Sequence, residues 1–153
     1  MTIPQTTVPA VRQYLVTQLQ SAVASVTPAA EVFDGEADHA DHENWIEVGG
    51  VRRQVSPLGL VGSGGQFWRD EKYHVDIKIS CYVGGRAGAM AQVNTNAYAL
   101  LALVETVVRQ DPSLGGLVLQ ANPESSDSVP SWDETGSGAL CDITTSIEVY
   151  TTL

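Results

Sequence analysis

The chain has 153 residues, 43% of them hydrophobic and 17% charged, which suits one domain around one core and is too apolar for disorder. Its net charge is −10, from 18 acidic against 8 basic residues; with no basic cluster beyond Arg52-Arg53, it lacks the cations that phosphate binding requires. No apolar run approaches the ~20 residues of a membrane helix. The opening MTIPQTTVPAVRQYL has no basic start leading into an apolar stretch, so the expectation is a protein made and kept in a cytoplasm, with no membrane partner.

The first element is a helix. Thr7 is placed to cap it, and Pro9 is tolerated in its first turn, where a missing N–H costs nothing. Val8, Val11, Leu15, Leu19, Ala22 and Val26 recur at three- and four-residue spacing, an apolar stripe that Pro28 ends. Glu31-Val32-Phe33 is a short strand. Asn44 to Val48 alternates as a second, Gly49-Gly50 signals a turn, and Val51 to Leu58 forms a third. Gly59 to Gly65 holds four glycines in seven residues. It lacks GKS/T and has no strand-loop-helix context, so it reads as a mobile loop and not a nucleotide cradle.

Gln66 to Val83 is the clearest element. Phe67, Arg69, Glu71, Tyr73, Val75, Ile77, Ile79, Cys81 and Val83 alternate with Trp68, Asp70, Lys72, His74, Asp76, Lys78, Ser80 and Tyr82. Such alternation marks a long strand with one buried face, and charges on both faces of Phe67 to Glu71 suggest a segment projecting past the core. A second helix runs from about Ala87 to Arg109, with Met90, Val93, Ala97, Leu101, Val104 and Val108 on its stripe and Leu100, Leu103 and Val107 widening it. Asp111-Pro112 stops it. Leu117 to Ala121 reads as a strand, NPESSD (residues 122–127) as a polar loop, Val129 to Glu134 as a short strand, and Ala139 to Tyr150 as a long alternating strand. The order is not a regular βαβ alternation. It specifies a single α+β domain over residues 1–153: a mostly antiparallel sheet with two main helices packed on one face.

DGEADHADHE (residues 34–43) gathers five carboxylates and two of the three histidines. As a calcium loop counted from Asp34 it fails, because His39 occupies the glycine position and Trp45 the final glutamate position. His39 and His42 are three apart, not the four of a helical zinc pair. The bland reading is a solvated loop; the sharper one makes Asp34, Glu36, Asp38, His39 and His42 metal ligands. Cys81 and Cys141 fall on apolar strand faces and read as buried thiols without a disulfide. No serine lies in a G-x-S-x-G elbow, and no convergent catalytic set is assembled, so no catalytic residue and no cofactor is assigned. Trp45, Trp68 and Trp132 lie near loop–strand junctions, where they either cap the core or anchor a subunit contact.

The whole layout resembles one family. VPAVRQYLVTQL opens as a helix, a variable acidic loop follows, and RDEKYHVDIKISCYVGG comes after a glycine-rich loop. An alanine-rich helix then ends in VVRQDPSLGGLVL, and ALCDITTSIEVYTTL closes the chain. This pattern is similar to the tail terminator, or tail completion, proteins of long-tailed bacteriophages. The resemblance implies a ring, usually hexameric, that caps the tail tube protein, ends tube growth and meets the head completion protein of the neck, in a virion assembled in the host cytoplasm. DNA passes through the lumen without specific binding. The family supplies no residue to carry over. From this sequence alone, the interface candidates are Gly62, Gly64 and Gln66 in the glycine-rich loop, Phe67, Trp68, Arg69, Asp70, Glu71 and Lys72 on the strand after it, and Glu124 and Asp127 in NPESSD. The alternatives are a head–tail connector, a tail tube subunit, or a small metal-binding module built on the acidic loop.

Overall fold

Two long antiparallel strands form the centre of the protein. In the computed structural model, which describes residues 5–37, 43–60 and 67–153, β3 (Phe67–Gly84) pairs with β6 (Gly138–Thr152) in continuous register from Asp70↔Thr152 to Gly84↔Gly138. On one face Tyr73, Val75, Ile77, Ile79 and Cys81 lie opposite Val149, Ile147, Thr145, Ile143 and Cys141, all buried. The other face carries Lys72, His74, Asp76 and Lys78 opposite Tyr150, Glu148, Ser146 and Thr144. A slip of one residue would turn the whole apolar set into water, so the pattern fixes the register.

The rest of the sheet grows outward from this pair. β2 (Trp45–Leu60) runs antiparallel to β3, and β1 (Glu31–Asp34) runs parallel to β2. On the far side of β6, β4 (Gln120–Pro123) and β5 (Asp127–Trp132) follow one another along its length. The order is β1-β2-β3-β6-β4, with β5 also beside β6. The α+β architecture expected from the pattern is the one observed.

Both helices serve one core on the apolar face. α1 (Val8–Val23) buries Val11, Leu15, Leu19 and Val23; α2 (Ala89–Gln110) buries Ala89, Val93, Ala97, Leu100, Leu101, Val104 and Val108. Each large apolar side chain contributes on the order of 2 kcal/mol by burial, before the entropy of ordering it. α2 ends at Asp111, whose carboxylate accepts from Tyr14 Oη, Ser113 N and Oγ, and Gly115 N.

Several boundaries differ from the pattern. Gly49-Gly50 is not a turn; it lies inside one continuous strand, where three steps of β2 from Val48 to Val51 span two of β3 from Ile77 to Val75. This is a β-bulge, and it switches face parity so that Ile46, Val48, Val51 and Val55 all turn toward the helices. A Cβ on Gly49 would stand 3.2 Å from the Asp76 carbonyl oxygen, which explains the glycine. α1 stops at Val23, with Ala24 as its C-cap, and leaves Val26 outside the helix and exposed. The strand read at Leu117 to Ala121 forms later, as β4. NPESSD shrinks to the corner Glu124-Ser125-Ser126, since Asn122 and Pro123 belong to β4 and Asp127 to β5. Correspondingly, the strand read from Val129 begins two residues earlier and ends at Trp132. Of the segment read as a mobile loop, Gly59 and Leu60 are the end of β2, and the remainder lies outside the described residues.

Candidate functional site

Glu71 reverses its expected role. The sequence pattern puts it among charged, projecting residues as an interface candidate, yet its side chain is fully buried. It sits on the apolar face of β3, two residues from Tyr73, under the start of α1. Its Oε1 accepts from Thr7 N at 3.0 Å and from Thr7 Oγ1 at 2.8 Å, and its Oε2 accepts from Arg53 Nε at 2.6 Å. Burial pushes the carboxyl up, but bonds from Thr6, Thr7 and Arg53 outweigh it and hold Glu71 below the ordinary carboxylate range. Thr7 occupies the N-cap position without capping through its own side chain; its hydroxyl serves Glu71 instead, and Thr6 Oγ1 accepts from Val8 N at 3.2 Å. Glu71 therefore has no surface to offer a partner.

Its neighbours pair elsewhere, not with one another as an ion-pairing stretch would. Asp70 accepts from Tyr150 Oη at 2.7 Å, and Lys72 Nζ lies 3.4 Å from Glu148 Oε1. Arg69 exchanges two backbone bonds with Leu153, so β3 stays paired up to the end of the chain's last strand. Phe67 lies opposite Leu60 in β2; Gly62, Gly64 and Gln66 lie outside the described residues.

The sheet has two outer edges. β1 covers β2 only along Trp45–Val48, so the ten residues from Val51 to Leu60, roughly 33 Å of strand, have no strand partner on their outer side among the described residues. On the opposite side, β4 and β5 are likewise outermost. β5 is exposed along most of its length, including Val129 at 63% and Trp132 at 40%. The Trp132 ring lies 4.9 Å from the Arg86 guanidinium carbon, and Tyr98 Oη lies 2.9 Å from Ser128 Oγ, so β5 presents an aromatic, partly polar border with α2. Asp127, one of the interface candidates, begins this edge.

Across the open, helix-free face lies a polar cluster that sequence reasoning did not assemble. His74 Nδ1 is 2.8 Å from Glu124 Oε2, and Ser146 Oγ donates to the same carboxylate oxygen. Glu148 is the direct cross-strand partner of His74. The Ser146 bond, chiefly, holds Glu124 below the ordinary carboxylate range against some opposing burial, with His74 adding to it. The hydroxyl donates to the carboxylate and not to the imidazole, so the direct serine–histidine contact of a nucleophile–base pair is not what this cluster forms. Glu124, an interface candidate by sequence, has both its backbone and its side chain engaged within the chain, through Glu124 N to Ser146 O at 2.9 Å as well.

The acidic stretch is only partly described. Asp34 ends β1 and pairs at 2.6 Å with Arg12, which also donates to the carbonyls of Val48, at 2.9 Å, and Gly49. That clip fastens α1 to the bulge and gives Asp34 a structural partner. Glu36 is exposed, and Asp38, His39 and His42 lie outside the described residues. The two cysteines face each other in the core and are free thiols; burial pushes Cys81 up to about 12.

Among the described residues the geometry defines an α+β domain with one sheet face covered by helices, one open and polar, and an unpaired strand edge on each side. Comparison with protein-family models and with curated proteins finds no match to this chain.

Proposed function

We propose that the chain is a ring-forming structural subunit, the tail terminator of a long-tailed phage, that caps the tail tube and joins it to the neck. The observation that supports the reading is the pair of edges, on opposite sides of a single sheet, that have no strand partner among the described residues. Two different edges can meet head to tail between copies, and such heterologous contacts make rings where the rotation closes and open filaments where it does not. The β2 edge, roughly 33 Å without a strand partner among the described residues, is a template for pairing with another chain, although Arg52, Arg53 and Pro57 blunt it. The chain-wide sequence resemblance supports the same reading. So does the net charge of −10, which suits a lumen that must release a polyanion.

Light scattering on the purified protein, with and without isolated tail tubes, tests it. A closed oligomer, or a single terminal layer on tubes, is expected. Open stacks would assign the chain to the tube itself, and a monomer indifferent to tubes would overturn the proposal.

A further inference from the structure

We propose that His74, Glu124 and Glu148 are the protein ligands of a divalent transition-metal site on the open face of the sheet. The three come from three different elements, β3, the β4–β5 corner and β6, and each offers one ligand atom within 4.8 Å of the others. Ligand atoms sharing one zinc-like ion at about 2.0–2.2 Å sit roughly 3–3.5 Å apart. Rotation of the two glutamate side chains closes that gap, because the backbones beneath them are already fixed. His74 and Glu148 are register partners, and Glu124 is anchored to Ser146 through its own N–H.

The donor set argues for the class of metal. One imidazole nitrogen with two carboxylate oxygens suits zinc, manganese or ferrous iron, whereas calcium and magnesium favour oxygen alone. The electrostatics argue for a dication. Two carboxylates converge here, and Lys72 Nζ, 3.4 Å from Glu148 Oε1, offsets the charge of one of them. An ion bound at His74 Nδ1 takes over the hydrogen bond that now joins the imidazole to Glu124, and the Ser146 hydroxyl continues to orient the carboxylate. All three side chains are half-buried, so the remaining coordination positions face water.

The site is independent of the assembly proposal, and it differs from a site in the acidic stretch by its histidine. Calorimetric titration of the full chain with zinc and manganese reads this directly. One saturable ion per chain is expected, unchanged in the His39→Ala/His42→Ala double variant. His74→Ala, Glu124→Gln and Glu148→Gln should each weaken binding by about tenfold or more. Cobalt substitution adds a visible absorption band that His74→Ala abolishes; should that variant misfold, the isosteric Glu124→Gln carries the test. Absence of saturable binding, equal binding by all variants (an adventitious ion only), or loss confined to the His39→Ala/His42→Ala variant would overturn the site.

Discussion

The buried carboxylate of Glu71, on a central strand, receives the backbone N–H of Thr7 at 3.0 Å and so completes the N-terminus of α1 from 64 residues away in sequence. A helix start leaves unpaired N–H groups and a partial positive charge, and an anion there satisfies both. Arg53, reaching over from β2, supplies the counter-charge at 2.6 Å. One carboxylate thus ties α1, β2 and β3 together. Glu71→Ala should lower the unfolding free energy by about 2 kcal/mol, since it strands buried donors while the partly exposed Arg53 turns to water. Glu71→Gln, which keeps an acceptor, should cost less. Urea denaturation of the two variants checks the order.

The same carboxylate sets a pH dependence. Its folded-state value is held below the ordinary 4.5. Protonation is therefore harder in the folded chain than in the unfolded one, and the stabilisation is complete above the unfolded value. It is lost as pH falls through the folded value, so the window lies below about pH 4.5. Glu124 shifts in the same direction and adds to the effect. Wild type should lose stability on acidification through this range, and Glu71→Gln should show a shallower slope in melting temperature against pH. An unchanged slope would show that Glu71 carries no linkage.

Cys81 and Cys141 lie opposite each other on the covered face, where apolar surroundings disfavour the thiolate. With the Cys81 thiol at about 12, roughly one molecule in ten thousand is ionised there near pH 8. Iodoacetamide should therefore label the native protein only as fast as it unfolds, and both thiols should react at once in denaturant. Rapid labelling of native protein would contradict the burial.

How much of this was legible in the sequence depends on the range of the interaction. The alternation of Tyr73 to Cys81 and of Cys141 to Val149 gives strand, face and core directly, since the side-chain period is local. Glu71 also falls on the Tyr73 face, so its burial had a signal in the pattern, but its partners Thr7 and Arg53 are brought to it only by packing. The bulge had a signal too: apolar parity changes from Ile46 and Val48 to Val51 and Val55 across two glycines, and a glycine pair inside a strand pattern is as compatible with a bulge as with a turn. The His74 cluster had almost none. His74 and Glu148 each sit on a polar strand face, but their meeting depends on the β3–β6 register, and Glu124 is placed by a corner that reads as an ordinary polar loop.

On the open face, Tyr82 lies over Gly138, with ring atoms 2.5 Å from where a Cβ would be built. The two residues belong to adjacent strands and are a diagonal pair on one face, Tyr82 standing opposite Leu140, two residues along from Gly138. An aromatic covering a strand glycine compensates for the missing side chain. Gly138→Ala must push the ring away, at a cost of about 1 kcal/mol. In a Tyr82→Ala background the same change should cost much less, or stabilise the strand, because the obstacle is gone and glycine is a poor strand residue. A double-mutant cycle on melting data measures the coupling; additive effects would mean that the ring does not rest on the glycine.

The assembly proposal makes its own demand on β5. Val129 is 63% exposed on an outermost strand and lies opposite Asp142 in β6, so a longer charged side chain there meets water in the isolated subunit. Val129→Lys should leave the melting temperature within a few degrees, since surface changes generally fall within about 0.5 kcal/mol. A lysine on an outermost strand opposes edge-to-edge pairing, so the same variant should fail to form the closed oligomer or the terminal layer on tail tubes. If the variant assembles as wild type does, the β5 edge is not the contact between copies. Head-to-tail closure would then have to use another surface, with the free edge of β2 the first to test, by a proline placed between Val51 and Ser56.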